Sequence, residues 1–470
     1  MNNFAKSKFL CLGVAAMWLF STVAVFGQAA PSQPTITKPK PLMQPITVQT
    51  GNNTQIQPTS APLVTKTGSV APVARKTSFP VLASVEIPGF SGILVEDLNG
   101  NVVMDSFSNY AFNPASNVKV ATAYAVIKTF GPDYRFPTNV WTDGQVDAVS
   151  GTLYGNLYIS GRDPVFNYEH AVDIANELNR LGVRNISGDL IVTDNFVMNF
   201  NTSAQQAAST LSATMNSARR NVAATRAWQN YLVNAGKYSQ VAGVPGVTIS
   251  GGTYVQAIPT NARLLFSHES TPMREIIKTT LCYSNNFLAE RLGDMLGGSY
   301  AVARIVQQNA QIPPAEFTLQ SSSGLGINRV TPHAMMSLLR TLRKELARNK
   351  MSFADIMPVA GIDKGTLERR FDTDFTRGSV VGKTGTLPTG DGGVSSLTGE
   401  IQTRQGKLLF VIFNMHGNVN HFRAFQNSLV SLIQGQLGGA ASLEYVPISL
   451  DARLAKTRIT YPESRTKVNQ

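Results

Sequence analysis

Ten residues from Val118 to Ile127 carry one charge, Lys119, and are otherwise apolar apart from Thr122. The run begins after Asn113-Pro114-Ala115-Ser116 and stops before Gly131-Pro132, so a proline opens it and a Gly-Pro pair closes it. A helix apolar on every side belongs in the middle of a protein. The rest of the chain must therefore supply a shell around it, which calls for a layered domain. Ser116 falls in the first turn of this helix, and Lys119, three residues on, shares its face. A serine hydroxyl is a weak nucleophile until a base takes its proton. A lysine can be that base if burial lowers its pKa.

Alone, Ser-x-x-Lys says little, since a chain of this length holds roughly two by chance. The other match, Ser464 to Lys467, has no apolar helix behind it. Two later stretches give Ser116 its weight. Ser284-Asn285-Asn286 feeds Phe287 to Leu292, the pattern of a turn entering an amphipathic helix. Lys383-Thr384-Gly385-Thr386 follows the strand-like Gly378 to Gly382. A second Lys-Thr-Gly at Lys66 precedes every other motif and sits in Pro/Thr/Gln-rich sequence, so it is discarded.

The ends of the chain differ from its body. Lys6 and Lys8, an apolar run from Phe9 to Phe26 and small residues near Gly27 to Ala30 predict a signal peptide over 1–29 and a periplasmic address. An uncleaved membrane anchor is the alternative. Residues 30–78 read as an extended linker. Removing the signal leaves Cys282 as the one cysteine, so no internal disulfide is available. The formal charge is +12, but seven of those charges precede Glu86 and a basic tail over 451–470 adds a net three. Basic ends on a near-neutral body suggest loose attraction to an anionic envelope, not a nucleic-acid groove.

In between, Ser91–Glu96 and Asn101–Ser106 predict a hairpin around Asn99-Gly100. Residues 142–252 read as an inserted domain with a strand-helix-strand unit and an Ala-rich helix over 203–234. The Ser321–Gly326 run reads as a flexible small-residue loop. Strands at 394–401 and 407–414 and a closing helix at 421–434 complete the chain. The expected class is α+β: one antiparallel sheet built from both chain ends and covered by helices. The domain plan is a principal domain at 79–141 and 253–450, interrupted by the insertion.

Ser-x-x-Lys, Ser-x-Asn and Lys-Thr-Gly in this order form the signature set of penicillin-binding proteins and serine β-lactamases. The wider pattern resembles the low-molecular-mass class C penicillin-binding proteins, the D-alanyl-D-alanine carboxypeptidase/endopeptidase family. It is carried by Asn113-Pro-Ala-Ser, Ser284-Asn-Asn with Ala289-Glu290, Ser323-Gly-Leu, Val359-Ala-Gly, and Lys383-Thr-Gly-Thr-Leu with Val394-Ser-Ser-Leu. An insertion opening on a Gly-x-Asp-Pro turn, here with Arg162-Asp163-Pro164, belongs to the same pattern. Ser321 stands where the family has an aspartate.

The resemblance implies a penicillin-binding protein/serine β-lactamase-like transpeptidase fold, with a helical subdomain and an inserted accessory domain. It also implies acyl transfer: Ser116 attacks a D-Ala-D-Ala peptide bond, neutral Lys119 takes its proton, and Ser284 with Lys383 relays a proton to the leaving amine. Charged Lys383 is expected to keep Lys119 neutral by repulsion. Asn286 contacts the substrate backbone, and Lys383, Thr384, Gly385 and Thr386 form the substrate-binding strand. The Ser116 and Thr386 N–H groups serve as oxyanion donors. Peptidoglycan stem peptides are the implied substrates and β-lactams the implied covalent inhibitors, with no cofactor and no metal. A β-lactamase on the same scaffold and a non-catalytic envelope-binding protein are the rival readings. Cys282 is expected to be buried and inert, and Glu290 to serve packing or a salt bridge.

Overall fold

A computed structural model describes residues 75–240 and 243–462. The predicted signal peptide and most of the predicted linker lie outside these residues. Among the described residues, no helix is long and apolar enough to cross a membrane.

The central sheet has five antiparallel strands. They are β1 (Phe90–Asp97), β2 (Val102–Ser106), β3 (Val380–Leu387), β4 (Val394–Thr403) and β5 (Gly406–Met415). Their order across the sheet is β3-β4-β5-β1-β2, so the amino-terminal hairpin and the carboxy-terminal meander meet at β1 and β5. The two-residue side-chain period divides these strands between two cores. Leu94, Leu409, Val411 and Phe413 face one core, while Ile93, Val95, Phe410 and Ile412 face the other. All ten residues of β4 are buried, which places it at the heart of the molecule.

The first core is the larger and contains helix α1 (Val118–Phe130), with every residue from Val118 to Ile127 buried. Around α1 pack α2 (Met273–Tyr283), α3 (Asn286–Asp294), α4 (Ser299–Ala310) and α5 (Pro332–Arg348). The helix ends at Gly131, whose φ of 83° lets the chain turn away. On the other face of the sheet, α6 (Val419–Gln436) lies against β4.

The sheet of the expected insertion takes strands from outside 142–252 at both ends. Pro137–Thr142 and Arg263–Glu269 are inner strands of its six-stranded sheet, which also takes Leu157–Gly161, Leu190–Val192 and Thr253–Val255. The strand-helix-strand unit is present, with Tyr168–Arg180 crossing between two parallel strands. The Ala-rich stretch is two helices, Ala204–Met215 and Val222–Asn234, capped by the side chains of Ser203 and Asn221.

The described part of the basic tail expected over 451–470 has secondary structure. Leu450–Leu454 is helical and Arg458–Thr460 adds the sixth strand to the insertion's sheet. Arg453 and Lys456 both donate to Glu275 at 2.7 Å, and Arg458 pairs with Glu269. These charges meet acidic partners, so they are not free to attract an anionic surface. At the other end, the Lys76 backbone pairs with Asp105, so ordered structure begins inside the region read as linker.

Candidate active site

Ser116 sits on a tight turn, Ala115–Asn117, that leads directly into α1. Ala115 has a φ of 47°, a left-handed conformation that an alanine adopts at a cost of about 1–3 kcal/mol. Three contacts hold it there. The Asn113 Oδ1 accepts from the Ala115 N–H at 3.0 Å, the Ser396 hydroxyl donates to the Pro114 carbonyl at 2.7 Å, and the Asn117 amide donates to that hydroxyl at 2.6 Å.

Lys119 Nζ lies 2.9 Å from Ser116 Oγ, 2.7 Å from Asn286 Oδ1 and 2.6 Å from the Ser323 carbonyl. The last two groups are oxygen acceptors. A neutral amine has two protons and one lone pair, and these acceptors take both protons. The lone pair is then left facing the Ser116 hydroxyl, as a base must be. Burial pushes Lys119 down to about 7, with the Glu290 carboxylate opposing the shift.

Local sequence chemistry positions Asn286. Ser284 closes α2 in the left-handed region (φ 55°), and Asn285 caps α3 by accepting from the Leu288 N–H. Asn286 is the first residue of α3 and reaches Lys119. The Ser284 hydroxyl accepts from Lys383 Nζ at 2.8 Å. Two lysines thus each meet one serine hydroxyl.

Lys383 is fully buried, and burial together with the Lys119 charge pushes its amine well below the usual lysine range. This corrects the expected electrostatics. Burial, not repulsion from a charged Lys383, is what depresses Lys119. The fixed charges in the cleft belong instead to two arginines that sequence reasoning missed. A cleft of about 420 Å³ is lined by Ser116, Ser284, Thr384, Thr386, Arg370 and Arg423. Arg423 donates to the Thr386 hydroxyl at 3.0 Å. The Arg370 guanidinium, held by Gln426 and Asn427, is lowered to about 10 by burial and Arg423, so it keeps its charge at neutral pH. No spacing rule ties either arginine to Lys383 in the sequence.

Gly385 does not line this cleft. A Cβ there would meet the Ser396 hydroxyl at 2.1 Å and the Pro114 carbonyl at 2.6 Å, so its lack of a side chain lets β3 lie against the Ser116 turn. Gly385→Ala is expected to displace Ser116 and slow its acylation about 10²-fold with little loss of Cys282 burial. Stopped-flow acylation, with limited proteolysis to confirm the fold, measures it.

The Ser321–Gly326 loop, expected to be flexible, is held by buried hydrogen bonds at Ser322 and Ser323. Ser322 and Ser323 are fully buried, and the Glu290 carboxylate accepts from both of their N–H groups at 3.1 and 3.0 Å. The Thr122 hydroxyl holds the Ser322 carbonyl at 2.7 Å. Glu290 therefore fixes the carbonyl of Ser323 against Lys119. The Cys282 thiol is buried and pushed up to about 12, which leaves it protonated. Among the described residues, no group of three or more His, Cys, Asp or Glu is arranged to hold a metal.

Residues 81–217 and 210–434 match the model of the D-Ala-D-Ala carboxypeptidase 3 (S13) family. The chain belongs to this family. It is 29% identical over 187 residues to a D-alanyl-D-alanine carboxypeptidase of Actinomadura sp., covering 36% of this chain and 34% of the relative. It is 28% identical over 185 residues to the D-alanyl-D-alanine carboxypeptidase DacB of Haemophilus influenzae, covering 36% of this chain and 37% of DacB. The matched stretch thus spans about a third of the length of these curated relatives. The structure resembles the peptidoglycan endopeptidase Bd3459 of Bdellovibrio bacteriovorus with a TM-score of 0.66 at 22% identity, over 80% of this chain and 100% of that one. The S13 fold is therefore the penicillin-binding fold expected from the motifs, with its antiparallel sheet flanked by helices.

Proposed function

We propose that this S13-family protein is a serine D-alanyl-D-alanine carboxypeptidase and DD-endopeptidase that acts on peptidoglycan stem peptides and is acylated by β-lactams. The observation that carries the reading is the Lys119 amine, buried, lowered to about 7, and bonded to two acceptors so that its lone pair meets Ser116 Oγ. Ser116 attacks the carbonyl carbon of the D-Ala-D-Ala bond and Lys119 takes its proton. The N–H groups of Ser116 and Thr386 stabilise the oxyanion, a contribution of about 3 kcal/mol per donor in such sites. Ser284, which accepts from Lys383 Nζ, gives its hydroxyl proton to the leaving amine and is reprotonated by the proton that Lys119 took from Ser116. Neutral Lys119 then takes a proton from water, which hydrolyses the ester and frees Ser116. Asn286 turns its amide towards the substrate backbone. Thr384 and Thr386, with Arg423 beside Thr386, receive the terminal carboxylate.

The family relation and the Bd3459 structure acylated by penicillin G support the β-lactam reading. The amino-terminal lysines and apolar run support export to the periplasm by residues 1–29. The test is digestion of purified monomeric and cross-linked muropeptides, with the products identified by mass. Release of D-Ala and loss of cross-linked dimers are expected from the wild type. Intact muropeptides alongside rapid turnover of a chromogenic cephalosporin would overturn the reading. Arg423→Ala is expected to raise KM for peptides with a free terminal carboxylate about tenfold, with kcat nearly unchanged.

A further inference from the structure

A cavity of about 660 Å³ lies apart from the cleft at Ser116. It lies where the insertion meets the helical half of the molecule. One wall is aromatic, formed by Phe130, Tyr134 and Phe136, with successive ring centroids 5.2 Å apart. The opposite wall comes from the ends of the insertion's strands and includes the Gly161-Arg162 step of the Gly-x-Asp-Pro turn, a motif with no part in the chemistry above. Asp163 is buried beneath that turn, where its Oδ1 accepts from the Val165 N–H, while Arg162 is exposed at the cavity. With the Asn195 amide assigned so that its oxygen faces Arg162, that oxygen accepts from Nε at 2.7 Å and the amide nitrogen donates to the Thr193 hydroxyl at 2.9 Å. Asp194 lines the rim as an exposed acceptor.

The cavity is connected to the cleft along α3. Arg291, late in α3, donates to the Asn195 carbonyl at 3.1 Å, and Met295 just past its end lines the cavity. Phe287, next to Asn286, meets Phe200 of the insertion edge to face at 5.4 Å. Asn199 and Phe200 both have positive φ, 52° and 60°, and Phe200 is 46% exposed. The insertion's 193–200 segment therefore runs beside α3 from the cavity to the neighbour of Asn286. Nine residues of helix separate Asn286 from Met295, or about 13 Å. A stem peptide of four residues, extended, covers about the same distance.

We infer that this cavity binds an N-acetylated sugar of the peptidoglycan strand while the attached stem peptide reaches Ser116. The inference rests on the peptidase reading. The half-buried rings of Phe130 and Tyr134, backed by buried Phe136, offer aromatic surface to the C–H face of a pyranose. A rim carrying donors at Arg162 and Asn195 and an acceptor at Asp194 suits hydroxyl and acetamido groups, which need both kinds of partner. A sugar held there would add remote binding to that of the peptide in the cleft.

The test compares the disaccharide pentapeptide with the same pentapeptide lacking sugar, using the full chain. Two variants probe the cavity: Tyr134→Ala removes aromatic wall, and Ala257→Trp fills the space from an exposed position without removing packing. The wild type is expected to favour the sugar-bearing substrate about tenfold in kcat/KM, through KM. Both variants are expected to abolish that preference and to leave sugar-free peptide hydrolysis and penicillin acylation unchanged. Equal kcat/KM for the two substrates in the wild type, or equal losses on both in the variants, would overturn the inference. Calorimetry with the peptide-free disaccharide decides the site even if no peptide is cleaved: binding that Ala257→Trp eliminates supports it, and no binding overturns it. Failure of penicillin to acylate the wild type would strike the peptidase reading alone.

Discussion

Ser116→Ala is expected to remove both penicillin labelling and the proposed peptidase activity, by about 10⁴-fold or more, and to leave the protein folded. Loss of a nucleophile on this scale follows because the remaining groups can bind and polarise a carbonyl but cannot form the ester. The fold should survive since the turn at Ala115–Asn117 is held by Asn113, Asn117 and Ser396, none of which uses the Ser116 hydroxyl. Lys119 keeps Asn286 and the Ser323 carbonyl as partners. Intact-protein mass after penicillin treatment, with circular dichroism as the fold control, measures the effect. A penicilloyl adduct on another serine of the variant would remove Ser116 from the mechanism.

The second large effect is in pH. Lys119 must be neutral to accept a proton, so acylation rises with pH through about 7 and is level above it. The negative charge of Glu290 favours charged Lys119 and so raises its pKa. Glu290→Gln removes that charge, lowers the Lys119 pKa and moves the acidic limb to lower pH. The level rate also falls, since one amide oxygen cannot replace a carboxylate that accepts from both Ser322 and Ser323. Lys383→Ala cuts the rate but leaves the acidic limb in place, because burial has already pushed the Lys383 amine towards neutrality. Profiles of kcat/KM for the two variants check this. A limb that moves in Lys383→Ala and stays in Glu290→Gln would return the control of Lys119 to Lys383.

Pattern legible in the chain came from periodicity and local caps. The unbroken apolar run of α1 could be satisfied only by complete burial, and the strands β3 to β5 were recognisable from short apolar segments between glycine turns. Ser284-Asn285-Asn286 was legible as a turn entering a helix, the helix that Asn285 caps. The boundaries of the insertion were not legible. Pro137–Thr142 and Arg263–Glu269 pair with each other across more than a hundred residues, and Arg458–Thr460 joins them from the far end. Nothing in a strand's own residues says which sheet receives it.

The sequence alone determined the order of the motifs, the residue types able to carry acyl transfer, and the helix on which Ser116 and Lys119 share a face. Tertiary structure decided the charges. Whether a lysine is a base depends on what surrounds its amine, and those neighbours come from Ser323, Asn286 and Glu290, far from Lys119 in the chain. The same holds for Arg423, which reaches Thr386 from a helix 37 residues away. Helix faces and caps are set by neighbours three or four residues apart, so they are written in the sequence. Desolvation and charge-charge interactions act through space, so the pKa of Lys119 and the cationic end of the cleft exist only once the chain has folded.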